Sequence, residues 1–472
     1  MAKRSFLRDI SASTLQMVIN QFAGAVVFLV LSISLSKNDF GQLNWSLALL
    51  MVSFSIAGFG LEHLIVKKAA NGEDKAVLLR AYFTHALLVG LLLLLVFAWV
   101  SYAVPAGSEL FMLLTAAQFI SFLCNPFRQL ANGMERFRAL MVMAIAANLI
   151  KMLVLLGWQL FGGFDVKDVA RIYLVASMIE FISCILVSRF QLRLRLAGGL
   201  NWNMYVNLLR ESLPVLGMTI FNTAVARIDW VLLGLLSGTT LVAGYSFANR
   251  FFELATLPLL IVAPVIFPKI TRMFASAIIS EKGIAQLGML IRIEIIGAVY
   301  IALATNICWT SLADAVTGNK YGASTGNIMF VLSLGIPLVY INNAFWNILF
   351  SRGKMRPLFF IFMITFAVNL LADMLMIPAW QGTGAAIGFV LALGVQAALY
   401  LYSSPNLGVR KAVMSLLPVA VSAGIAAVIA GLMHVTVSLQ LIVASVIYIT
   451  LMLALRQFRL SDWHTAKKIL AA

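Results

Sequence analysis

The sequence predicts an all-α polytopic membrane protein of about fourteen transmembrane helices, and its composition and its apolar runs both point that way. Of its 472 residues, 62% are hydrophobic and only 11% are charged, whereas about 25% of the residues of a soluble domain are charged. Apolar runs of about 18 or more residues recur along the whole chain, and each could cross a hydrocarbon core about 30 Å thick. The connectors between them are short, so we expect no soluble domain.

The order of the helices follows from the apolar runs that lie between clusters of charged and turn-forming residues. Their predicted centres lie near residues 23, 54, 92, 120, 152, 180, 225, 256, 300, 338, 368, 393, 422 and 447. The longest polar-leaning gap, Gln191 to Arg210, follows the sixth helix. The first apolar run is about 25 residues long and has no obvious cleavage site, so we expect it to be an uncleaved helix rather than a signal peptide.

The distribution of basic residues predicts the orientation. Lys and Arg number 34 against 18 Asp and Glu, a net charge of +16. If the N-terminus is cytoplasmic, the outer connectors hold only Lys37, Lys167 and Lys320, and four further cations lie in or at the edge of helices: Lys151, Arg171, Arg227 and Arg250. The remaining Lys and Arg residues fall in cytoplasmic connectors. We therefore predict a multi-pass inner-membrane protein with both termini cytoplasmic, and the basic charge indicates topology rather than nucleic-acid binding.

Motifs for metal or cofactor chemistry are not found in the sequence. The three cysteines, Cys124, Cys184 and Cys308, all fall in apolar runs, and their spacing implies neither a disulfide framework nor a zinc site. No HExxH, DxD or Walker pattern occurs, so neither an ATPase nor a zinc enzyme is predicted. We expect no cofactor.

An internal repeat is indicated by two pairs of segments. The basic loop from Asn132 to Arg138 precedes an Asn-Leu helix, and so does the loop from 351 to 357. Phe40-Gly41 opens the second helix as Ala243-Gly244 opens the eighth. Each pair is six helices apart, which predicts two six-helix lobes related by a pseudo-two-fold axis along the membrane normal. The predicted parts are an N-lobe (1–195), a cytoplasmic linker (196–212), a C-lobe (213–405), and two extra C-terminal helices with a cytoplasmic tail (406–472).

Ionisable residues inside the predicted helices are the candidates for function. Each costs about 2.5–3.5 kcal/mol at the bilayer centre on insertion scales, so each should face a wet cavity or a partner. The set comprises Lys151, Glu180, Arg227, Asp229, Arg250, Glu253, Glu294 and Asp373. A shared polar interior between the lobes would accommodate all of them.

Helical spacing indicates which polar side chains share a face, since residues three and four apart are neighbours. Such pairs are Gln16 and Asn20, Asn148 and Lys151, Asn343 and Asn347, and Asn369 and Asp373. Arg250 and Glu253 could form an ion pair that only holds the eighth helix in place, and Glu180 and Glu294 could be packing residues with a neutralised carboxyl. For Arg227 and Asp229, two residues apart, both an interhelical pair and a cavity position remain open. Lys151 has no acid within four residues on its own helix.

Several further segments support a family resemblance when taken in order. They are Phe40-Gly41, Gly58-Phe59-Gly60-Leu61-Glu62, the loop from Asn132 to Arg138, Asp229, Gly244-Tyr245-Ser246 with Ala248, Arg250 and Glu253, and Gly382-Thr383-Gly384-Ala385-Ala386-Ile387-Gly388. With these segments the chain, over roughly residues 5 to 405, resembles the O-antigen-type oligosaccharide flippases of polysaccharide biosynthesis. That family belongs to the multidrug/oligosaccharidyl-lipid/polysaccharide exporter superfamily.

The resemblance implies a central cationic cavity with alternating access to the two membrane faces. The implied activity is translocation of a polyprenyl-diphosphate-linked oligosaccharide from the cytoplasmic to the outer leaflet. Lys151, Arg227 and Arg250, with Arg128 at the inner portal, would bind the diphosphate or acidic sugars. Asp229, Glu253 or Asp373 would serve coupling to a proton or sodium ion. The implied partners are the lipid-linked glycan, membrane lipids and the polysaccharide polymerase machinery, and the last two helices could hold a lipid tail or pack peripherally.

Two other functions compete with this hypothesis. A cation-coupled drug or small-molecule antiporter of the same fold would favour an acidic cavity, and Lys151, Arg227 and Arg250 argue against it. A polytopic glycosyltransferase or polymerase would need sizeable outer loops, yet the largest predicted one, about Asp314 to Gly326, is short. We therefore predict a transporter rather than an enzyme.

Overall fold

The computed structural model describes residues 19–103, 108–160, 162–194, 201–259, 281–404 and 413–458. The described residues form helices joined by short turns, with no strand among them. The helices, numbered in chain order, are α1 (Ile19–Ser34), α2 (Lys37–Ala57), α3 (Leu61–Ala70), α4 (Lys75–Ala103), α5 (Ser108–Gly133), α6 (Phe137–Leu160), α7 (Val166–Phe190), α8 (Trp202–Ser237), α9 (Thr239–Ala255), α10 (Glu281–Thr317), α11 (Gly322–Ser351), α12 (Met355–Ser403), α13 (Leu416–Leu432) and α14 (Val437–Ala454).

The predicted fold class is confirmed. Each predicted centre falls within a described helix or, for the one near 256, next to the end of α9 at Ala255. Within the described ranges, 10 helices are long and apolar enough to cross a membrane, and α1 and α13 are shorter apolar helices. The structure adds α3, a helix of 10 residues that the apolar runs did not indicate as an element distinct from α2. Gln16, the N-terminal basic residues and the lobe boundaries after 195 and 405 fall at residues outside the described part.

The described residues divide into two compact units. The first takes the chain up to Gly234 with Gly238–Ala243, and the second takes Leu235–Ser237 and the chain from Gly244 onwards. In the first unit, α5 packs along α4 and α7, and α6 packs along α7. In the second, α11 packs between α10 and α12, and α13 and α14 pack on each other and on α10. The helix α8 begins at Trp202, so much of the predicted linker 196–212 is helical; the lobe boundaries and the pseudo-two-fold axis stay predictions.

Short polar residues begin several of these helices. Ser36 Oγ accepts a hydrogen bond from the backbone N–H of Asp39 at the start of α2. Asp165 and Asp168 form a capping box at the start of α7. Asn201 Oδ1 accepts from the N–H of Met204 at 3.1 Å to begin α8. Each cap satisfies an N–H group that has no partner within its helix.

Two glycines bring α2 into close contact with α8 and α9 in the first unit. A Cβ on Gly41 would overlap the backbone carbonyl of Thr239, and one on Gly234 would overlap the indole of Trp45. Trp45 Nε1 donates a hydrogen bond to the Val231 carbonyl at 3.1 Å in the same seam. Small residues at such a seam let helix backbones approach closely, the usual way in which membrane helices associate.

The long helix α12 is two helices joined at one residue. Gln381 has φ 52° and ψ −128°, which reverses the chain and divides the 49-residue helix into the two predicted spans centred near 368 and 393. A Cβ on Gly384 would overlap the backbone carbonyl of Met376, and one on Gly388 would overlap the Asp373 carboxylate. These two glycines therefore allow the two halves of α12 to pack closely on each other.

Replacing Gly41 with alanine tests the seam between α2 and α9. The obstructing atom is a backbone carbonyl that cannot rotate away, so we expect Gly41→Ala to destabilise the fold by about 1–3 kcal/mol and to lower the apparent melting temperature of the detergent-purified protein. Gly157→Ala is the matched control, since nothing lies within 4 Å of a Cβ built there and alanine favours a helix interior by about 0.5–1 kcal/mol. Equal melting temperatures for the two variants would contradict this account.

Candidate functional site

Three ionisable side chains from three helices of the first unit come together, and we call them the Arg128 cluster: Arg128 of α5, Lys151 of α6 and Glu180 of α7. Arg128 Nη1 donates to Glu180 Oε1 at 2.5 Å, and its Nη2 donates to Asn125 Oδ1 at 2.5 Å. Lys151 is close enough to both charged partners to interact with them electrostatically. The cluster thus gathers two predicted substrate-binding residues around an acid that the sequence left open as a packing residue.

The acid of the Arg128 cluster is more deeply buried than its arginine. The Glu180 side chain is 5% exposed and that of Arg128 is 24% exposed. Ser121 Oγ donates a further hydrogen bond to Glu180 Oε2 at 3.4 Å. A buried carboxylate depends on such partners, because removing one member of a buried ion pair leaves an uncompensated charge at a cost of about 3–5 kcal/mol. The arrangement therefore holds the guanidinium in one orientation.

Lys151 is held more weakly than Arg128. Its Nζ lies 4.7 Å from the centroid of the Tyr173 ring, a cation–π contact worth about 0.5–2 kcal/mol depending on desolvation. In the described part of the chain no carboxylate lies within the 4.0 Å that defines an ion pair with it. Arg128 is thus paired with Glu180, while Lys151 lies within electrostatic range of that pair, and its protonated ammonium would give the cluster a positive charge that an anion could neutralise.

The two predicted site residues of α8 lie in different surroundings. The Arg227 guanidinium lies over the Trp230 ring at 4.7 Å, and its Nη1 donates to the Ala226 carbonyl at 2.9 Å. Asp229 is 1% exposed and accepts from the N–H of Trp230 at 2.9 Å. The two residues are only two apart in sequence, so their side chains point to different sides of α8.

In the second unit, the ion pair that the spacing of Arg250 and Glu253 permits on α9 is present. Arg250 Nη1 and Glu253 Oε2 are 2.7 Å apart, and the side chains are 20% and 31% exposed. Helical pairs of this kind contribute about 0.3–0.5 kcal/mol where solvent screens them. Arg250 as a substrate ligand and Glu253 as an ion-coupling residue stay predictions.

Asp373 is the most buried predicted site residue of the second unit. Both Asp373 and Asn369 have 0% exposure, and Asn369 Nδ2 donates to Asp373 Oδ2 at 2.6 Å. Gly388, from the second half of α12, faces the other carboxylate oxygen. The predicted Asn369–Asp373 face is confirmed, and it places a carboxylate and an amide side by side inside a membrane helix. Such a group can take up a proton or a cation.

The predicted polar face of Asn343 and Asn347 is also found, since Asn347 donates to Asn343 at 2.8 Å. Asn148 of α6 donates to Asn20 of α1 at 3.3 Å, a contact between helices that the spacing did not predict. Glu294 lies half-buried in α10. Groups of three His, Cys, Asp or Glu residues that could hold a metal ion are not found in the described ranges.

Sequence reasoning missed three supporting residues of the Arg128 cluster: Ser121, Asn125 and Tyr173. The spacing of Asn125 three residues before Arg128 was a usable signal, since such pairs share a helix face. Ser121 follows the same periodicity, seven residues before Arg128. Tyr173 had no such signal, because its contact with Lys151 joins two helices.

Outside the spans, a polar cleft of about 380 Å³ lies between α3 and the start of α8. Lys68 bridges Glu73 at 3.1 Å and Glu211 at 3.0 Å across it. Burial by itself lowers the pKa of Lys68, but hydrogen bonds and charge from Glu211 and Glu73 outweigh that effect and raise the pKa above its ordinary value. The bridge therefore persists below the ordinary lysine pKa and is lost only as pH rises through the raised value.

The described helices form a polytopic membrane fold, and solved structures of transporters share it. The chain is similar to the lipid II flippase MurJ in an inward closed conformation, with a TM-score of 0.74 and 14% identity over 94% of this chain and 98% of that chain. It is similar to a multidrug resistance MATE family transporter of the MOP superfamily in an inward-facing conformation, with a TM-score of 0.67 and 14% identity over 84% and 99% of the two chains. It is also similar to a Vibrio cholerae MATE transporter, VcmN, with a TM-score of 0.56 and 15% identity over 86% of this chain and 98% of that chain.

The sequence assigns the chain to a family within this fold. The family model described as "Polysaccharide biosynthesis protein" matches residues 6–274. The match covers more than half of the chain, and the chain belongs to this family. No curated protein matches the chain. The resemblance stated from the sequence is therefore confirmed at the level of the family.

Separate and joint replacement of the buried pair tests its energetics. Arg128→Gln leaves Glu180 uncompensated, and we expect it to lower stability by about 3–5 kcal/mol. Arg128→Gln with Glu180→Gln should recover most of this loss, because two amides can hydrogen-bond without a buried charge. The readout is thermal denaturation of the purified protein.

Lys167→Gln serves as the control, because it breaks an exposed pair with Glu109 on the same two helices. We expect little or no change from it. A double Arg128/Glu180 variant that is as unstable as Arg128→Gln alone would contradict the assignment of a buried ion pair.

Proposed function

We propose that the protein is a flippase that moves a polyprenyl-diphosphate-linked oligosaccharide from the cytoplasmic to the outer leaflet of the inner membrane. Its membership of the polysaccharide biosynthesis family supports the substrate class. The MurJ neighbour is a flippase of another lipid-linked substrate, and its similarity here concerns the fold alone. The proposed partners are the lipid-linked glycan, membrane lipids and the polymerase that consumes the exposed glycan.

The observation that carries the proposal is the excess positive charge of the Arg128 cluster. Arg128 forms an ion pair with Glu180, and Lys151 lies within electrostatic range of both, inside membrane-spanning helices. Guanidinium and ammonium groups bind phosphate oxygens strongly where water is excluded, and arginine does so with two parallel N–H groups. A diphosphate head group would neutralise the cluster, whereas a cationic drug would be repelled by it.

In the proposed mechanism, alternating access exposes the diphosphate site to one leaflet and then to the other. Lys151, Arg227, Arg250 and Arg128 bind the diphosphate or acidic sugars, and the lipid tail stays in the bilayer. Asp229, Glu253 and Asp373 serve coupling to a proton or sodium ion, since an acid inside a membrane helix is stabilised by taking up a cation. Binding of that ion lowers the cost of the conformation that it favours, and so it biases the cycle.

Depletion of the protein is the first test. An impermeant glycan-modifying probe applied to intact spheroplasts reports which leaflet holds the lipid-linked glycan. We expect the glycan to remain on the cytoplasmic leaflet of depleted cells and to reach the outer leaflet when the protein is restored. Normal exposure in depleted cells without a redundant transporter would overturn the flippase proposal and favour a cation-coupled antiporter of the same fold.

Lys151→Ala tests the basic cluster in the same assay. We expect glycan exposure to fall by about tenfold or more, the equivalent of losing one charge-assisted hydrogen bond, with unchanged membrane abundance. Lys167→Ala is the matched control because it removes an exposed cation from α7 of the same unit. Wild-type exposure in the Lys151→Ala variant would exclude Lys151 from substrate binding.

Asp373→Asn tests ion coupling while keeping the size of the side chain. We expect translocation in proteoliposomes to lose its response to an imposed proton or sodium gradient, because an amide cannot take up the ion. Asp74→Asn is the control, since Asp74 is exposed and only caps α4 through the N–H groups of Ala76 and Val77. An undiminished gradient response in Asp373→Asn would assign coupling to another acid.

A further inference from the structure

We propose that Glu180 is a positioning residue for anion binding: it fixes the orientation of Arg128 and repels the bound diphosphate enough to permit its release. This inference rests on the proposed function, which assigns Arg128 and Lys151 to the diphosphate. It gives a role to the acid that pairs with Arg128, which the sequence left open as a packing residue.

The hydrogen bonds of Arg128 support the orienting part of the proposal. Glu180 and Asn125 each accept from one terminal nitrogen of the guanidinium. A guanidinium carries five N–H donors, so these two bonds leave donors available while they fix the plane of the group. The Arg128 side chain is 24% exposed against 5% for Glu180. The guanidinium is therefore more accessible to an incoming ligand than the acid that holds it.

Lys151 can change its position more easily than the Arg128 guanidinium. Its ammonium lies over the Tyr173 ring at 4.7 Å, and a cation–π contact is weaker than a charge-assisted bond to phosphate. An arriving diphosphate can thus draw Lys151 from the ring, while Arg128 remains bound to Glu180. The site combines one preorganised donor with one that moves to the ligand, which reduces the ordering cost of binding.

The charge of Glu180 accounts for release. Without the acid, two cations in a low-dielectric environment would hold a diphosphate too tightly for turnover. The carboxylate is hydrogen-bonded to the guanidinium, so it opposes the charge of an anion bound to that group at short range, where screening is weak. Glu180 thus lowers the affinity for the diphosphate and raises its rate of dissociation, as expected for a transporter, whose substrate must both bind and leave.

The test is diphosphate binding to the full-length protein in nanodiscs, with geranyl diphosphate and inorganic pyrophosphate as probes at fixed ionic strength. We expect Glu180→Gln, which keeps a hydrogen-bond acceptor and removes the charge, to bind about tenfold tighter. Its glycan exposure in spheroplasts should nevertheless be slower than that of the wild type. Arg128→Lys, which keeps the charge and loses the planar donor group, should bind about tenfold weaker.

Glu109→Gln is the matched control because it removes an exposed carboxylate from the same helix as Arg128. Glu109 lies 19 residues before Arg128 on α5, about 28 Å away along the helix. It should leave the dissociation constant within about twofold, since exposed charges that far apart are screened. A purely structural role of Glu180 predicts lower abundance and no gain in affinity. If Glu180→Gln does not reach the membrane, Glu180→Asp replaces it: it keeps the charge, but its shorter side chain no longer holds Arg128 in the same orientation, so binding should weaken.

The outcomes separate this inference from the proposed function. The positioning role is supported if Glu180→Gln binds more tightly, or Glu180→Asp more weakly, while Glu109→Gln leaves the dissociation constant unchanged. Unchanged or weaker binding by Glu180→Gln, or unchanged or tighter binding by Glu180→Asp, overturns it and leaves the flippase proposal standing. Wild-type protein that binds neither probe also overturns it, because the cluster would then not be an anion site. Failure of the proposed function is read separately, from the leaflet assay in depleted cells.

Discussion

Compensation of ionised groups inside the membrane-spanning helices is the constraint on which this structure depends. Water cannot solvate a charge in hydrocarbon, so each charged side chain must find its counter-charge or a polar contact within the protein. Arg128 meets Glu180, Arg250 meets Glu253, and Arg227 lies over Trp230. These contacts fix how α5 faces α7 and keep charged groups of α8 and α9 in contact with protein atoms.

Lys151 departs from this pattern of close compensation. Its partner is the Tyr173 ring, which attracts the ammonium without cancelling its charge. A protein that needed only stability would place a carboxylate there or replace the lysine with an apolar residue, since apolar replacements of buried ion pairs are often neutral or stabilising. A residual charge of this kind is what the proposed role of Lys151 in binding an anionic substrate requires.

The sequence predicted the helices well because their signal is strong and local. Apolar runs of membrane length identify α4 and α11 without any tertiary information, and the i, i+3 and i, i+4 spacing predicted the pairs Arg250–Glu253 and Asn369–Asp373. Contacts between helices had no such signal, so the Arg128–Glu180 bond could not be predicted. The requirement for glycine at position 41 could not be predicted either, because the carbonyl that a side chain there would overlap belongs to a residue nearly 200 positions later in the chain.

The single-residue reversal at Gln381 bears on how the chain enters the bilayer during synthesis. The first half of α12 carries Asp373, an acid whose exposure to lipid would be energetically unfavourable if that half entered the bilayer alone. With no loop between the halves, the first cannot move away from the insertion machinery before the second has been made. The two halves must therefore partition together as a hairpin, and the backbone at Gly388 covers the carboxylate from the outset. Tight folding at this bend thus lets the second half of α12 cover a buried acid before the two helices that follow it, α13 and α14, have been made.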